Sequence, residues 1–335
     1  MSLGQGATIF GCSGADLAAD EAAFFRDADP FGFILFARNV ENPDQLRRLT
    51  AALRDAVGRD APILVDQEGG RVQRLRAPHW AEWLPPLEAV ARAGANAARM
   101  MWLRARLIAA ELRDAGIDGN CAPCLDLATD QTHTFLRNRC YGEAPAIVAD
   151  LGRATADGHL AGGVLPVMKH LPGHGRATGD THHDLPTVSA DADTLQATDF
   201  APFRALADLP MAMTAHIVFS AYDSAPATCS PQMIRLIRED IGFHGLLMSD
   251  DLNMQALSGT LAERAARAIA AGCDIALHCK GDLAEMQQVA AAAGQMGAEA
   301  MARAAKALAA RHAPEPADLV ALRAEHDALL GAAHV

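Results

Sequence analysis

The stretch VLPVMKHLPGHGRATGDTHHD, residues 164–184, holds one apolar run and one polar loop in direct succession. Val164–Lys169 reads as a buried strand, because a continuous apolar run with no polar alternation suits a strand covered on both faces. The chain then turns through Pro172-Gly173 and two more glycines, Gly175 and Gly179, which supply backbone freedom. The loop that follows is rich in histidine and acid, the composition of a segment that can carry function.

The same unit recurs along the 335 residues. Further strand candidates are Ala7–Gly11, Phe31–Phe36, Pro62–Asp66, Asn120–Leu125, Pro210–His216, Gly245–Asp250 and Cys273–His278. Between them lie segments with apolar residues three and four apart: Asn42–Val57, Leu87–Ala115, Ala144–Leu160, Ala190–Leu206, Pro231–Glu239 and Leu261–Ala271. Parallel strands need crossovers, usually helices, so eight units predict an α/β fold, a single (β/α)8 TIM-type barrel. A doubly wound open sheet is the alternative, but no Gly-x-Gly-x-x-Gly follows the first strand. The Ala-rich region Leu283–Leu330 is expected to form extra C-terminal helices outside the barrel. With no Ser/Gly- or Pro-rich linker in view, residues 1–335 are expected to form a single domain.

Composition narrows the function. Twenty-nine basic residues stand against 41 acidic ones, a net charge of −12. Nucleic acid and anionic membrane both demand clustered cations, so neither is an expected partner. No run of about 18 apolar residues predicts a membrane span. The N-terminus lacks the basic and apolar regions of a signal peptide, and a cytoplasmic location is expected. Seven scattered cysteines read as reduced, buried thiols. Cys121-Ala-Pro-Cys124 has redox spacing but falls within a strand candidate, where its two thiols point to opposite faces.

Polar residues gather where strands end: Asp66-Gln67-Glu68-Gly69-Gly70-Arg71, Asp126, Lys169-His170, His216 and Ser249-Asp250-Asp251. In barrels that rim carries the active site. Asp180 and His182 are two apart, a spacing that lets a carboxylate orient an imidazole for acid/base work; a solvated polar loop is the plainer reading. Four nearby histidines (His170, His174, His182, His183) suggest a metal, yet neither His-x-His nor His-Glu-x-x-His spacing occurs, and no metal or cofactor is expected. Asp250 or Asp251 could attack an anomeric carbon, and the residues alone do not choose between them. Asp66 and Arg74 could grip hydroxyls or form a structural ion pair.

Taken together, these segments resemble the bacterial β-N-acetylhexosaminidases of glycoside hydrolase family 3. The matching pieces are GFILFARN (32–39), LVDQEGGRVQR (64–74), APCLDL (122–127), RNRCYG (137–142), KHLPGHG (169–175), DTHHDLP (180–186), MTAHI (213–217), SDDLNM (249–254) and AGCDIALHC (271–279). The resemblance implies Asp250 as nucleophile and His182, oriented by Asp180, as general acid and then base. It implies that Asp66, Arg74, Arg139, Lys169 and His170 grip the sugar. It also implies a small amino-sugar glycoside substrate, a muropeptide in peptidoglycan recycling, and a monomeric enzyme. Leu171 replaces a frequent Phe, and Cys140-Tyr141 a usual Ser-Phe, which touches fine specificity and leaves the reaction in place. Many relatives carry a second α/β domain that contributes a carboxylate acid; this chain is expected to lack it. A phosphorylase on the same scaffold, a metal-dependent amidohydrolase and a non-catalytic sugar-binding barrel are the competing readings.

Overall fold

The computed structural model describes residues 3–179, 181 and 184–331. Eight strands, numbered here as barrel strands, form one parallel sheet: β1 (Gly6–Phe10), β2 (Pro30–Leu35), β3 (Ile63–Val65), β4 (Gly119–Asn120), β5 (Leu165–Leu171), β6 (Met211–Thr214), β7 (Leu246–Met248) and β8 (Ala276–His278). Their order is β8-β1-β2-β3-β4-β5-β6-β7. A parallel bridge between Met248 and Ile275, backed by Ser249 N–H donating to the Ile275 carbonyl at 2.9 Å, joins β7 to the chain entering β8 and completes the round. The expected (β/α)8 TIM-type barrel is therefore the observed fold.

All eight strand expectations fall on these strands; β1 and β2 keep the expected length, β5 ends two residues later, and the other regular ladders are shorter. The largest trim is at Asn120–Leu125, because Pro123 has no N–H to give. Pairing continues there irregularly: Val167 N–H donates to the Ala122 carbonyl and Lys169 N–H to that of Pro123. The thiols of Cys121 and Cys124 are buried along this stretch, and burial pushes the Cys121 thiol up while the Cys140 thiol and burial push up that of Cys124. Neither is poised as a thiolate.

The helices form as their ends dictate. In Pro43–Val57 the Asn42 side chain caps the first turn by accepting from Gln45 N–H, and Gly58 ends it in the left-handed region at φ 62°. Its buried stripe of Leu46, Leu49 and Leu53 faces the barrel, each leucine contributing roughly 1.5–3 kcal/mol. Two long helix expectations break. Leu87–Ala115 is interrupted at Gly94, φ 54°, giving Pro86–Ala93 and Ala97–Asp114. Ala190–Leu206 splits into Ala192–Ala197 and Ala201–Ala205. Past β8 come Leu283–Ala293, Ala298–Ala309 and Leu319–Gly331, the last packing on Ala97–Asp114. No helix among the described residues is long and apolar enough to cross a membrane.

Aspartates anchor the N-terminal ends of three strands, Asp118 and Asp274 buried and Asp29 partly exposed. Asp118, before β4, accepts from Ile63 N–H at 2.7 Å and pairs with Arg54 and Arg311. Asp274, before β8, accepts from Leu247 N–H at 2.9 Å and pairs with Arg238 and Arg303, both at 2.8 Å. Asp29, before β2, takes Arg59 at 3.1 Å. These contacts staple neighbouring strands to the helices outside them.

Candidate active site

At the opposite, C-terminal rim lies a cavity of about 270 Å³. Asp66, Arg74, Arg139, Lys169, His170 and Asp250 all line it, joined by Phe36, Phe135, His174, Thr181, Met254 and Asp251. Every substrate-gripping residue expected from sequence thus reaches one space. Asp180 and His182 lie outside the described residues.

One wall is an ionic lattice. Asp66 leaves β3, and Glu68 follows two residues later on the same side of the extended chain. Lys169 Nζ, at the end of β5, sits 2.8 Å from Asp66 Oδ1 and 2.6 Å from Glu68 Oε1. Arg74 takes the other Asp66 oxygen at 3.0 Å. Arg139 grips Glu68 with two bonds of 2.9 Å, the fork geometry that favours Arg over Lys. The turn between the acids and the arginines requires glycine at Gly69: its φ is 107°, and a Cβ there would lie 1.9 Å from the Arg104 guanidinium. Burial works to raise both carboxyls, yet the cations overcome it. Lys169 and Arg74 hold Asp66 far below the usual carboxylate range, and Arg139 and Lys169 hold Glu68 at about 2. Burial would lower Lys169, but Asp66 and Glu68 keep it firmly protonated.

A second group hangs from Asp126, beyond β4. Asp126 Oδ2 accepts from His170 Nδ1 at 2.7 Å, which leaves His170 Nε2 aimed at Arg139, 3.5 Å away. Asp126 Oδ1 accepts the backbone N–H of His174 at 2.7 Å. Against burial, His170 keeps Asp126 ionised far below its usual range. His174 stacks edge-on to His170 and Phe135, each at 5.5 Å, and lies 3.3 Å from Thr181 Oγ1. Burial, then the nearby His170, press its pKa down to about 4, so His174 is neutral near pH 7. Gly175 packs where a Cβ would meet the Leu127 carbonyl at 2.3 Å, so this loop cannot lie so close without glycine. Cys124, Asp126 and His170 offer three metal-type donors within 4.8 Å of one another. The thiol, at 3.3 Å, and the imidazole are both already spent on Asp126 Oδ2.

The third side is the loop after β7. Asp250 Oδ1 accepts the backbone N–H of Asp251 at 2.8 Å. Burial opposes its charge, but His170, His216 and Lys169 together with that N–H hold Asp250 below its ordinary pKa. Asp251 behaves oppositely. Its carboxylate turns back to accept from the N–H groups of Asn253 and Cys279, both at 3.1 Å. Burial, with the charge of Asp250, pushes it up to about 6. Two adjacent acids thus differ in kind: one is poised and faces the cavity wall of cations, the other braces the loop.

Sequence reasoning noted Glu68, Asp126 and His216 at the strand-end rim, His174 among the loop histidines and Asp251 as the alternative nucleophile, but carried none of them into the site that the resemblance implies. The signal for Glu68 was present, since residues two apart on an extended segment share a side. For Asp126 and His170 the signal was the adjacency of β4 and β5, which follows once a barrel is assumed.

Comparison with known proteins follows the same line. Residues 14–311 match the family model described as "Glycosyl hydrolase family 3 N terminal domain". A "Beta-hexosaminidase" of Xylella fastidiosa is 37% identical over 284 residues, 82% of this chain and 84% of the relative. One of Methylococcus capsulatus is 39% identical over 281 residues, 81% and 82% of the two chains. Among solved structures, NagZ from Neisseria gonorrhoeae in complex with N-trifluoroacetyl-D-glucosamine superposes with a TM-score of 0.86 at 30% identity, covering 99% of each chain. A family 3 β-N-acetylglucosaminidase from Paenibacillus gives 0.82 at 30% identity; 96% of this chain spans 61% of that longer one.

Proposed function

Because the chain belongs to glycosyl hydrolase family 3, we propose that it is a retaining β-N-acetylhexosaminidase that removes terminal β-linked N-acetylglucosamine through an ester on Asp250. The observation that carries the reading is the placement of Asp250. It is an ionised carboxylate at a strand end, turned toward a wall of paired cations across a sugar-sized cavity.

In this reading Asp250 attacks the anomeric carbon while His182 gives its proton to the departing oxygen. An α-glycosyl-aspartate forms with inversion. His182, now neutral and oriented by Asp180, takes a proton from water, and a second inversion restores the β-anomer. Asp66, Arg74, Arg139, Lys169 and His170 hold the hydroxyls, and their mutual ion pairs fix their positions before substrate arrives. The 2-acetamido group is bound and does not attack. Residues 1–335 act as one catalytic unit, and the enzyme works as a monomer in this reading. The substrate we propose is N-acetylglucosaminyl-β-1,4-anhydro-N-acetylmuramic acid, with or without its peptide. Seven cysteines with free thiols suit a reducing compartment, in keeping with cytoplasmic recycling of cell wall.

A 2-fluoro or 5-fluoro glycosyl probe followed by peptide mass spectrometry tests the proposal. The expected adduct is on Asp250; a labelled residue elsewhere, or none, overturns it. The same preparation in phosphate buffer is expected to release free N-acetylglucosamine, and sugar-1-phosphate as the main product would make the enzyme a phosphorylase.

A further inference from the structure

His216 lies beyond β6 and is fully buried, outside the cavity lining. Its Nε2 sits 3.0 Å from the Asp251 carbonyl, and its Nδ1 sits 2.7 Å from Thr228 Oγ1. A carbonyl can only accept, so Nε2 carries a hydrogen. Burial pushes the His216 pKa down, so the ring is neutral and Nδ1 is a bare lone pair. The Thr228 hydroxyl must then donate to Nδ1. Its oxygen is left to accept from the Thr214 hydroxyl, 2.8 Å away. The chain of donors therefore runs one way: Thr214 to Thr228, Thr228 to His216, His216 to Asp251. All three side chains in it have no exposure to water; the Ala215 carbonyl also lies within reach of the Thr228 hydroxyl, at 3.1 Å, but farther than His216 Nδ1 at 2.7 Å.

The last acceptor belongs to the residue that holds Asp250. Asp251 gives its N–H to Asp250 Oδ1, ties its carboxylate to Asn253 and Cys279, and has its carbonyl held by His216. We propose that His216 is a positioning residue, set in one tautomer by Thr228 and Thr214, which fixes the Asp251 peptide and through it the angle at which Asp250 meets the anomeric carbon. The inference rests on Asp250 being the nucleophile.

The test compares His216→Gln, whose side-chain amide can still donate to the Asp251 carbonyl, with His216→Phe, which fills the space without donating. The readouts are the rate of fluoroglycoside labelling, kcat/KM on an aryl N-acetylglucosaminide and the Kd of N-acetylglucosamine. His216→Phe is expected to slow labelling and lower kcat/KM about 100-fold, the scale of an ångström-sized misplacement, with Kd changed less than about twofold. His216→Gln is expected to stay within about tenfold of wild type on both rates. Labelling of His216→Phe at the wild-type rate, or equal loss in both variants, overturns the proposal. Should His216→Phe not fold, Thr228→Val gives the same decision. It removes the hydroxyl that sets the tautomer and is expected to slow labelling more than His216→Gln does; labelling as fast as wild type defeats the idea. Absence of any wild-type adduct at Asp250 is a different result, which removes the nucleophile assignment itself.

Discussion

Both ends of the barrel bury charge, and they use it differently. At the N-terminal end, Asp118 and Asp274 are 1% and 3% exposed, and their oxygens are taken up by arginines from separate segments outside the barrel and by the backbone of the neighbouring strand. Nothing remains for a ligand. At the C-terminal end, Asp66, Glu68, Arg74, Arg139 and Lys169 are just as densely paired, yet Asp66, Arg74, Arg139 and Lys169 also border the cavity. The first set consumes its hydrogen bonds in holding strands together. The second holds its own members in place and still presents them outward. Dense ion pairing alone therefore does not mark an active site; the decisive feature is an unspent face on a cavity.

The largest effects should separate the two ends by readout. Asp250→Asn is expected to lower kcat on the order of 10⁴-fold with intact sugar binding and only a small fall in melting temperature, since the charge it loses is one the fold favours. Asp118→Ala should do the reverse. It takes the buried counter-charge from Arg54 and Arg311, which keep the exposed Asp60, and loss of one partner from a buried ionic cluster costs up to about 3–5 kcal/mol, read by denaturant unfolding, while kcat of the folded fraction stays near wild type. A large kcat loss in Asp118→Ala, measured on folded protein, would break the comparison.

The contrast also explains what could be read in advance. Strands ending in Asp66, Lys169 and Asp250 were legible because an apolar run with a polar terminus is a local pattern. The barrel was legible because that pattern repeats. Asp29, Asp118 and Asp274 went unnoticed, since a single aspartate before a strand reads as an ordinary turn residue; their arginines lie up to 193 positions away. Gly94 was in plain view inside Leu87–Ala115, but an apolar period that continues past a break hides it. The role of Glu68 was masked by Gly69-Gly70, which made the segment read as a loop and not as an extended strand end. His216 needed Thr228, 12 residues on in the same loop, and Asp251, which the next helical crossover brings back beside it.

The next effect sharpens the comparison within the rim. Glu68 sits at about 2 in the fold against an ordinary value of 4.5, because Arg139 and Lys169 outweigh its burial. Its contribution to stability is therefore complete above about pH 4.5 and disappears as pH falls through about 2. Glu68→Gln should lose stability at neutral pH by leaving Arg139 and Lys169 short of a counter-charge. Its melting temperature should also fall less steeply than that of wild type between pH 4.5 and 2. Parallel curves for the two proteins would show that Glu68 does not carry the acid sensitivity.

The smallest effect concerns Asp251, where the sign reverses. Its folded pKa is about 6, above its ordinary 3.8, so its ionisation works against the fold, and that cost grows as pH rises from about 4 to about 6. Asp251→Asn keeps an oxygen that can accept from the Asn253 and Cys279 N–H groups. Its melting temperature should match wild type near pH 4 and equal or exceed it above pH 6, with kcat reduced less than about tenfold, since Asp251 neither attacks nor protonates. The neighbouring Asp250→Asn, one residue away, is expected to lose nearly all turnover. If instead Asp251→Asn were the inactive protein and Asp250→Asn the active one, the cavity-facing carboxylate would be the brace and the backbone-bound one the nucleophile, an arrangement in which attack must first give up two hydrogen bonds.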